Sequence, residues 1–437
     1  MKAQVIEADW TWTGDKFEPG VRVTVSEDGC IESVGLESRP VDCRLKGQAL
    51  LPGMISAHSH AFQRGLRGRG EAFPAETGSF WSWREEMYRL VASLDADGIY
   101  RLSRQAFSEM LSAGITAVGE FHYLHHDASG SGFALDEAVL HAARDEGIRI
   151  VLLQTYYRTG GIGRPLEGAQ KRFACESPKA FWKQLDRLWN SLSPNQMLGA
   201  AAHSIRAAPI EDIAQLHSEA RRQGMVFHMH VEEQNKEIEE CFEAYQASPI
   251  MLINEQLKIG PDFTAVHATQ THPIDMHRFL QDGGNVCICP LTEANLGDGN
   301  PDTPGILEDE GPISIGTDSN SRLSMVEEMR WLEYVQRVLL RRRGIFRDDK
   351  GEVARRLFDC ATLHGARSLG LPAGEVKKGS MADFTVLDLS VPCLAGWAPE
   401  TLMESFVFGA GNSAIAGSCV AGKWIRGFHA KPQGAQS

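Results

Sequence analysis

Two histidines separated by one residue, His58 and His60, close the stretch Leu50-Leu51-Pro52-Gly53-Met54-Ile55-Ser56-Ala57-His58-Ser59-His60. On a β-strand, residues two apart face the same way, so both imidazoles can reach one ion without bending the backbone. Neutral imidazole nitrogens bind Zn²⁺ at about 2.0–2.1 Å, so a metal site is the chemistry this spacing suggests. Further metal-competent or proton-carrying residues recur along the chain at the ends of short apolar runs. They include His203 in Leu198–His203, His228 and His230 in Phe227–Glu233, His267 after Val266, and Asp318 in Ile315-Gly316-Thr317-Asp318.

From these residues a mononuclear site can be assembled from His58, His60, His230 and Asp318. A divalent ion bound there lowers the pKa of a water from about 15.7 to about 7, which makes a nucleophile available at neutral pH. Glu233 and Asp318 are the candidates for moving the proton from that water to a leaving group. His267 can orient the nucleophile or polarise the electrophile. His228 and His230 share a face, so either can supply the ligand; His230 is preferred because it lies nearer the strand end and keeps Glu233 in the following loop. A second metal would need a bridging carboxylate, often a modified lysine, at the end of the fourth strand, and Leu198–His203 contains no lysine. One metal per chain is therefore expected.

Other polar residues carry less signal. His125 and His126, near His122, are expected in a loop, solvated or facing substrate. Cys287 and Cys289 read as buried small residues. Trp81 and Trp83 suit core packing and substrate contact equally well.

Residues at so many run ends need a scaffold that collects strand ends on one face. Between residue 49 and about 369, strand-like runs alternate with helical patterns. The strands are Ala49–His58, Thr116–Tyr123, Arg149–Tyr156, Leu198–Ser204, Val226–Val231, Thr264–Ala268, Asn285–Pro290 and Pro312–Thr317. Helical spacing of apolar residues marks Tyr100–Ser112, Leu135–Glu146, Lys179–Ser191, Ile210–Gln223 and Met325–Leu340. Eight strands alternating with helices predict an α/β fold of the (β/α)₈ (TIM) barrel type, with its active site at the C-terminal strand ends. No Gly-x-Gly-x-x-Gly follows a strand, which argues against an open dinucleotide-binding sheet. Residues 1–48 and 370–437 carry short strands, among them Ala3–Ala8, Val21–Ser26, Ala382–Asp388, Ser405–Phe408 and Ala414–Trp424. Asp28-Gly29 and Ala421-Gly422 are the turn candidates. Neither end can bury a core alone, so one small β-sandwich built from both termini is expected.

The 437 residues are 43% hydrophobic and 23% charged, a globular composition, with a net charge of −13 that argues against nucleic-acid binding. The triplet Arg341-Arg342-Arg343 follows an apolar run and reads as a helix C-terminus. Nine cysteines without a Cys-x-x-Cys pair suggest a reducing compartment. With no signal-peptide core and no run of about eighteen apolar residues, a cytoplasmic protein without membrane contact is expected.

The motif Leu51–His60, the strand-five His with Glu three residues on, the strand-six His and Gly316-Thr317-Asp318 together resemble the amidohydrolase superfamily over nearly the whole chain. More specific stretches are His60-Ala61-Phe62-Gln63-Arg64, Phe80–Tyr88, Glu120–His126 and Ala202-His203-Ser204-Ile205-Arg206. These resemble the branch that hydrolyses N-formimidoyl-L-glutamate to N-formyl-L-glutamate and ammonia in histidine degradation. The resemblance implies metal ligation by His58, His60, His230 and Asp318, with zinc the usual ion and Fe²⁺ the alternative. It also implies catalysis by Glu233 and His267 with Asp318, substrate contact by Gln63, Arg84, Tyr123, His203 and Arg206, and a homodimer. A dicarboxylate substrate suits Arg84 and Arg206, since guanidinium binds carboxylate bidentately. The nearest competing activity is deamination of a purine- or pyrimidine-type ring on the same metal site.

Overall fold

The computed structural model describes residues 2–36, 39–69, 71, 80–129 and 132–425. The chain opens with β1 (Gln4–Trp12), β2 (Phe17–Pro19), β3 (Arg22–Val25), β4 (Ile31–Gly35) and β5 (Cys43–Pro52). The next eight strands are β6 (Met54–Ser59), β7 (Ile115–His122), β8 (Arg149–Tyr156), β9 (Gln196–Ala202), β10 (Phe227–Val231), β11 (Phe263–His267), β12 (Asn285–Ile288) and β13 (Ile313–Ile315). These pair in sequence order, all parallel. Strands such as β7 and β8 are buried at every position, as a parallel sheet covered by helices requires.

The barrel closes where β6 meets the segment after β13. The carbonyl of His58 accepts from the amides of Thr317 (2.9 Å) and Asp318 (3.0 Å), and His60 N donates to Asp318 O at 2.9 Å. Ser56 Oγ lies 2.9 Å from Thr317 Oγ1, which ties the same seam by side chains. Gly316 makes this approach possible: a Cβ there would stand 2.8 Å from the Cβ of His58 and 2.8 Å from Cys289 Sγ.

β14 (Phe384–Asp388), β15 (Ile415–Val420) and β16 (Lys423–Trp424) return to the N-terminal strands. They form one mixed sheet in the order β16-β15-β14-β5-β1-β3-β4, with β2 on β1. The sheet curls until the start of β4 meets the segment leading into β14, through Ile31 N to Ser380 O (2.8 Å) and Gly379 N to Ile31 O (2.8 Å). Ile6, Val23, Leu45, Phe384 and Val386 fill the space it encloses. The expected terminal sandwich is thus one continuous sheet wrapped on its own core. A buried bidentate pair, Arg149 Nε to Asp383 Oδ2 (2.7 Å) and Nη2 to Oδ1 (3.0 Å), fastens it to the barrel.

Two expected strands differ. Ala49–His58 is divided at Gly53 between β5 of the terminal sheet and β6 of the barrel. A Cβ on Gly53 would lie 2.0 Å from Thr116 Oγ1, so the crossing passes β7 too closely for any side chain. Ser405–Gly409 is helical rather than extended. Its freed carbonyls are held from the neighbouring helix Met325–Leu340, where Arg330 Nη2 donates to Val407 O (2.8 Å) and Ala410 O (2.6 Å). A short apolar run does not distinguish strand from helix by periodicity alone. Among the described residues no helix is long and apolar enough to cross a membrane, and all nine cysteines are free.

Candidate metal centre

The site lies at the C-terminal ends of the barrel strands. His58 and His60 come from the end of β6, His230 from β10, His267 from the last position of β11, and Asp318 from the turn after β13. His58 Nε2 stands 3.2 Å from His60 Nε2 and 3.1 Å from His230 Nε2. Asp318 Oδ1 lies 3.5 Å from His58 Nε2 and 3.2 Å from His60 Nε2. Ligands at about 2.0–2.1 Å on a tetrahedral ion lie about 3.3–3.4 Å from one another, so this spacing fits a metal. His60 Nδ1 bonds the carbonyl of Phe121 at 2.8 Å, which puts the ring proton on Nδ1 and leaves the Nε2 lone pair facing the cluster. Three overlapping groups are close enough to hold an ion: His58, His60 and Asp318; His58, His230 and His267; and His267, Cys289 and Glu293.

Burial, then neighbouring imidazoles, hold His58 and His230 well below the ordinary histidine pKa, and burial with His58 brings His60 down to about 3. These rings are therefore neutral at pH 7, the state in which imidazole binds metal. His267 is the opposite case. Burial disfavours its charge, but Glu233, Glu293 and Asp318 outweigh burial and raise it to about 10. Its Nδ1 bonds Glu293 Oε1 at 3.2 Å, while Nε2 faces Glu233 Oε1 at 3.9 Å and Asp318 Oδ2 at 4.0 Å. His267 and Asp318 have φ of 73° and 41°. Left-handed backbone at non-glycine residues is costly and is retained where the surrounding structure fixes it, commonly at functional sites.

One pocket joins this cluster to the remaining candidates. It is lined by His60, Gln63, Arg84, Tyr123, His203, Arg206, His230, Glu233, His267 and Asp318, and His58 lies beneath, wholly buried. Gln63 Nε2 donates to the Tyr123 hydroxyl at 2.9 Å. Arg206 Nη2 reaches Glu233 Oε2 at 3.3 Å, and its Nε lies 3.9 Å from buried Glu237. Arg84 comes from the helix Phe80–Ser93, with its guanidinium 5.2 Å from the ring centre of Tyr88.

His228 is occupied elsewhere, on the carbonyl of Ser368 at 2.8 Å, which leaves His230 as the strand-ten histidine in the cluster. His122, His125 and His126 are buried rather than solvated or facing substrate. His122 Nε2 and His125 Nδ1 reach Asp136 Oδ1 at 3.1 and 2.9 Å, and His126 Nε2 reaches Ala174 O at 2.7 Å. Gln154 and Gln184 each donate to Asp136 Oδ2 at 2.8 Å, so protein donors fill this carboxylate. Trp83 lines the pocket, whereas Trp81 stands outside it under Lys236 Nζ at 4.6 Å. Sequence reasoning missed Tyr88, Tyr157 and Phe173 in the pocket wall and Glu293 behind His267. Of these only Tyr88 had a signal, its place four residues after Arg84 on one helix face.

A (β/α)₈ barrel with a buried His/Asp cluster at its strand ends, opening into a polar pocket, defines the class of metal-dependent barrel hydrolases. The chain belongs to the amidohydrolase family, whose model matches residues 49–425. It is 37% identical to formimidoylglutamate deiminase of Pseudomonas aeruginosa, over 93% of this chain and 90% of that protein. The crystal structure of an amidohydrolase from Brucella melitensis superposes with a TM-score of 0.87 at 30% identity, covering 96% of this chain and 94% of that one. An adenosine deaminase from Xanthomonas campestris with bound zinc shares the fold at a TM-score of 0.80 and 21% identity, covering 96% and 92%.

Proposed function

We propose that this protein hydrolyses N-formimidoyl-L-glutamate to N-formyl-L-glutamate and ammonia. The observation that carries this reading is the placement of two arginines, Arg84 and Arg206, in the same pocket as the His/Asp cluster. Two guanidinium groups suit a linear substrate with two carboxylates better than a neutral ring. The 37% identity with a formimidoylglutamate deiminase over nearly the full length supports the same choice.

His58, His60, His230 and Asp318 would hold one divalent ion. Zinc is the ion we assign, given a nitrogen and carboxylate donor set at tetrahedral spacing and the zinc bound by the adenosine deaminase of the same fold. When bound, the ion supplies Lewis acidity that brings water within reach of deprotonation at neutral pH. The chain's own residues do the rest. Arg84 and Arg206 anchor the carboxylates, and Tyr123 and His203 add hydrogen bonds. These contacts hold the formimidoyl carbon over the cluster, and binding energy from the remote glutamate part fixes its orientation. Glu233, with Asp318, takes the proton from the attacking water and returns it to the departing nitrogen, which leaves as ammonia. His267, held by Glu293 on one nitrogen, presents the other to the reacting centre.

The test is product analysis with purified protein on N-formimidoyl-L-glutamate, guanine and cytosine. The reading requires N-formyl-L-glutamate and ammonia in equal amounts from the first and nothing from the rings. Turnover of a ring alone would replace it with a ring deaminase.

A further inference from the structure

The phenol of Tyr88 is not explained by packing alone. Its oxygen receives two N–H donors, Arg84 Nε at 2.7 Å and Gln170 Nε2 at 3.1 Å. The orientation of the Gln170 amide is fixed by its other end, because the backbone N–H of Glu167, which can only donate, meets Gln170 Oε1 at 3.1 Å. Gln170 Nε2 therefore faces Tyr88 as a donor. With two donors directed at the phenol oxygen, the hydroxyl proton of Tyr88 must point in a third direction. No acceptor among the described residues receives it. Tyr88 lines both the catalytic pocket and a neighbouring cavity that shares Arg84 and Arg206 with it, so open space for a ligand lies on that side of the phenol.

The Arg84 guanidinium gives its Nε to Tyr88 and also hydrogen-bonds the Tyr157 phenol, and no carboxylate among the described residues pairs with its charge. It stacks 5.3 Å from Trp81 and 5.2 Å from Tyr88 by ring centre, which limits the plane in which its terminal edge can lie. An anion binding end-on to Arg84 then lies beside a phenol already turned to donate.

Resting on the proposed function, we infer that Tyr88 is a specificity-determining residue: it donates its hydroxyl hydrogen bond to the substrate carboxylate held by Arg84. Gln170 is a positioning residue that aims this donor. The pair reads a planar, charged acceptor and not merely negative charge. A neutral amide at that place offers one acceptor oxygen and sets an NH₂ against Arg84 or Tyr88.

Tyr88→Phe removes one oxygen and keeps the ring, and it is tested in two ways. The first is steady-state hydrolysis of N-formimidoyl-L-glutamate, of N-formimidoyl-L-glutamine, which lacks the side-chain carboxylate, and of N-formimidoyl-4-aminobutyrate, which lacks the α-carboxylate. The expected result is a fall in kcat/KM of roughly ten- to a hundredfold on the glutamate compound, the size of one hydrogen bond to a charged group. It should be carried by KM, with at most a threefold loss on whichever analogue lacks the carboxylate read by Arg84. Gln170→Leu should lose activity in the same pattern by about three- to tenfold, with Tyr88 present. The second readout is the dissociation constant of glutarate by calorimetry, which needs no turnover and should weaken at least tenfold in Tyr88→Phe. An equal loss on all three substrates, or unchanged kcat/KM and glutarate affinity, would overturn the assignment. If the unaltered protein binds glutarate in a Tyr88-dependent way but releases no ammonia from the glutamate compound, the assignment of Tyr88 stands and the proposed reaction fails.

Discussion

Replacing Arg206 by Met keeps an unbranched apolar stem and removes the guanidinium and its charge. The guanidinium is nine-tenths buried and lies 3.3 Å from Glu233 and 3.9 Å from Glu237. Two costs follow. A substrate carboxylate loses a charge-assisted donor pair, about 1.5–3 kcal/mol per hydrogen bond to a charged group. The carboxylate must also enter a pocket that has become net negative. Together these set an expected loss of about 3–4 kcal/mol, or roughly two to three decades in kcat/KM at about 1.4 kcal/mol per decade. The stability cost is smaller than the 3–5 kcal/mol typical for breaking a buried ion pair. Glu237, raised by burial to about 7 even beside Arg206, is already poised to take up a proton when the cation is gone. About 1–2 kcal/mol is expected, read as a modest drop in Tm. The assay is ammonia release from N-formimidoyl-L-glutamate, with zinc content and thermal melting measured on the same preparation. A kcat/KM within threefold of the unaltered protein, with zinc and fold intact, would refute the role of Arg206 as an anchor. Loss of zinc in the variant would instead make Arg206 part of the scaffold of the metal centre.

Three further outcomes follow from the same geometry. Glu237 has a folded pKa of about 7 against an ordinary 4.5, so between those values the folded chain holds a proton that the unfolded chain has released. Stability therefore falls as pH rises through that window, by about 3 kcal/mol for this group. The stability of Glu237→Gln relative to the unaltered protein should rise by that amount from pH 4.5 to 7 in denaturant titrations, and a flat difference would contradict it. Gly316→Ala sets a Cβ within 2.9 Å of the His58 carbonyl, which must push β6 from the seam. Zinc affinity should drop at least tenfold by competition with a chelating dye, with a stability loss of about 1–3 kcal/mol; unchanged affinity would mean the seam yields without moving the ligands. Arg64 donates to Asn320 O at 2.6 Å and Ser321 O at 2.7 Å just beyond Asp318. Arg64→Met should therefore weaken zinc binding more than it lowers Tm, whereas a change in Tm alone would give Arg64 a purely structural role.

The barrel was legible because its strands are short apolar runs each ending on a polar residue, and β8 and Met325–Leu340 fall where periodicity put them. The cluster was legible for the same reason: in a parallel barrel, strand ends share one face, so His60, His230 and Asp318 converge although far apart in sequence. What local pattern could not supply was tertiary. Gly53 divides one apolar run between two sheets only because Thr116 stands against it. His125 and His126 do lie in a loop, as expected, but Asp136, Thr155 and Ala174 bond them and their rings are buried rather than solvated. Glu293 comes from the helix Pro290–Leu296, and nothing in its own neighbourhood marks it as the partner of His267. Tyr88 stood in view beside Arg84, but its role depends on Gln170, which arrives from the 3-10 helix Gly168–Phe173 about eighty residues on.

We propose that one ion, held by His58, His60, His230 and Asp318, serves the hydrolysis of N-formimidoyl-L-glutamate. This is tested most directly by adding zinc stepwise to chelator-stripped protein and following ammonia release. The rate should rise from near zero in proportion to bound zinc and break at one equivalent per chain. Full activity without metal, a break at two equivalents, or a loaded protein that releases no ammonia would contradict it.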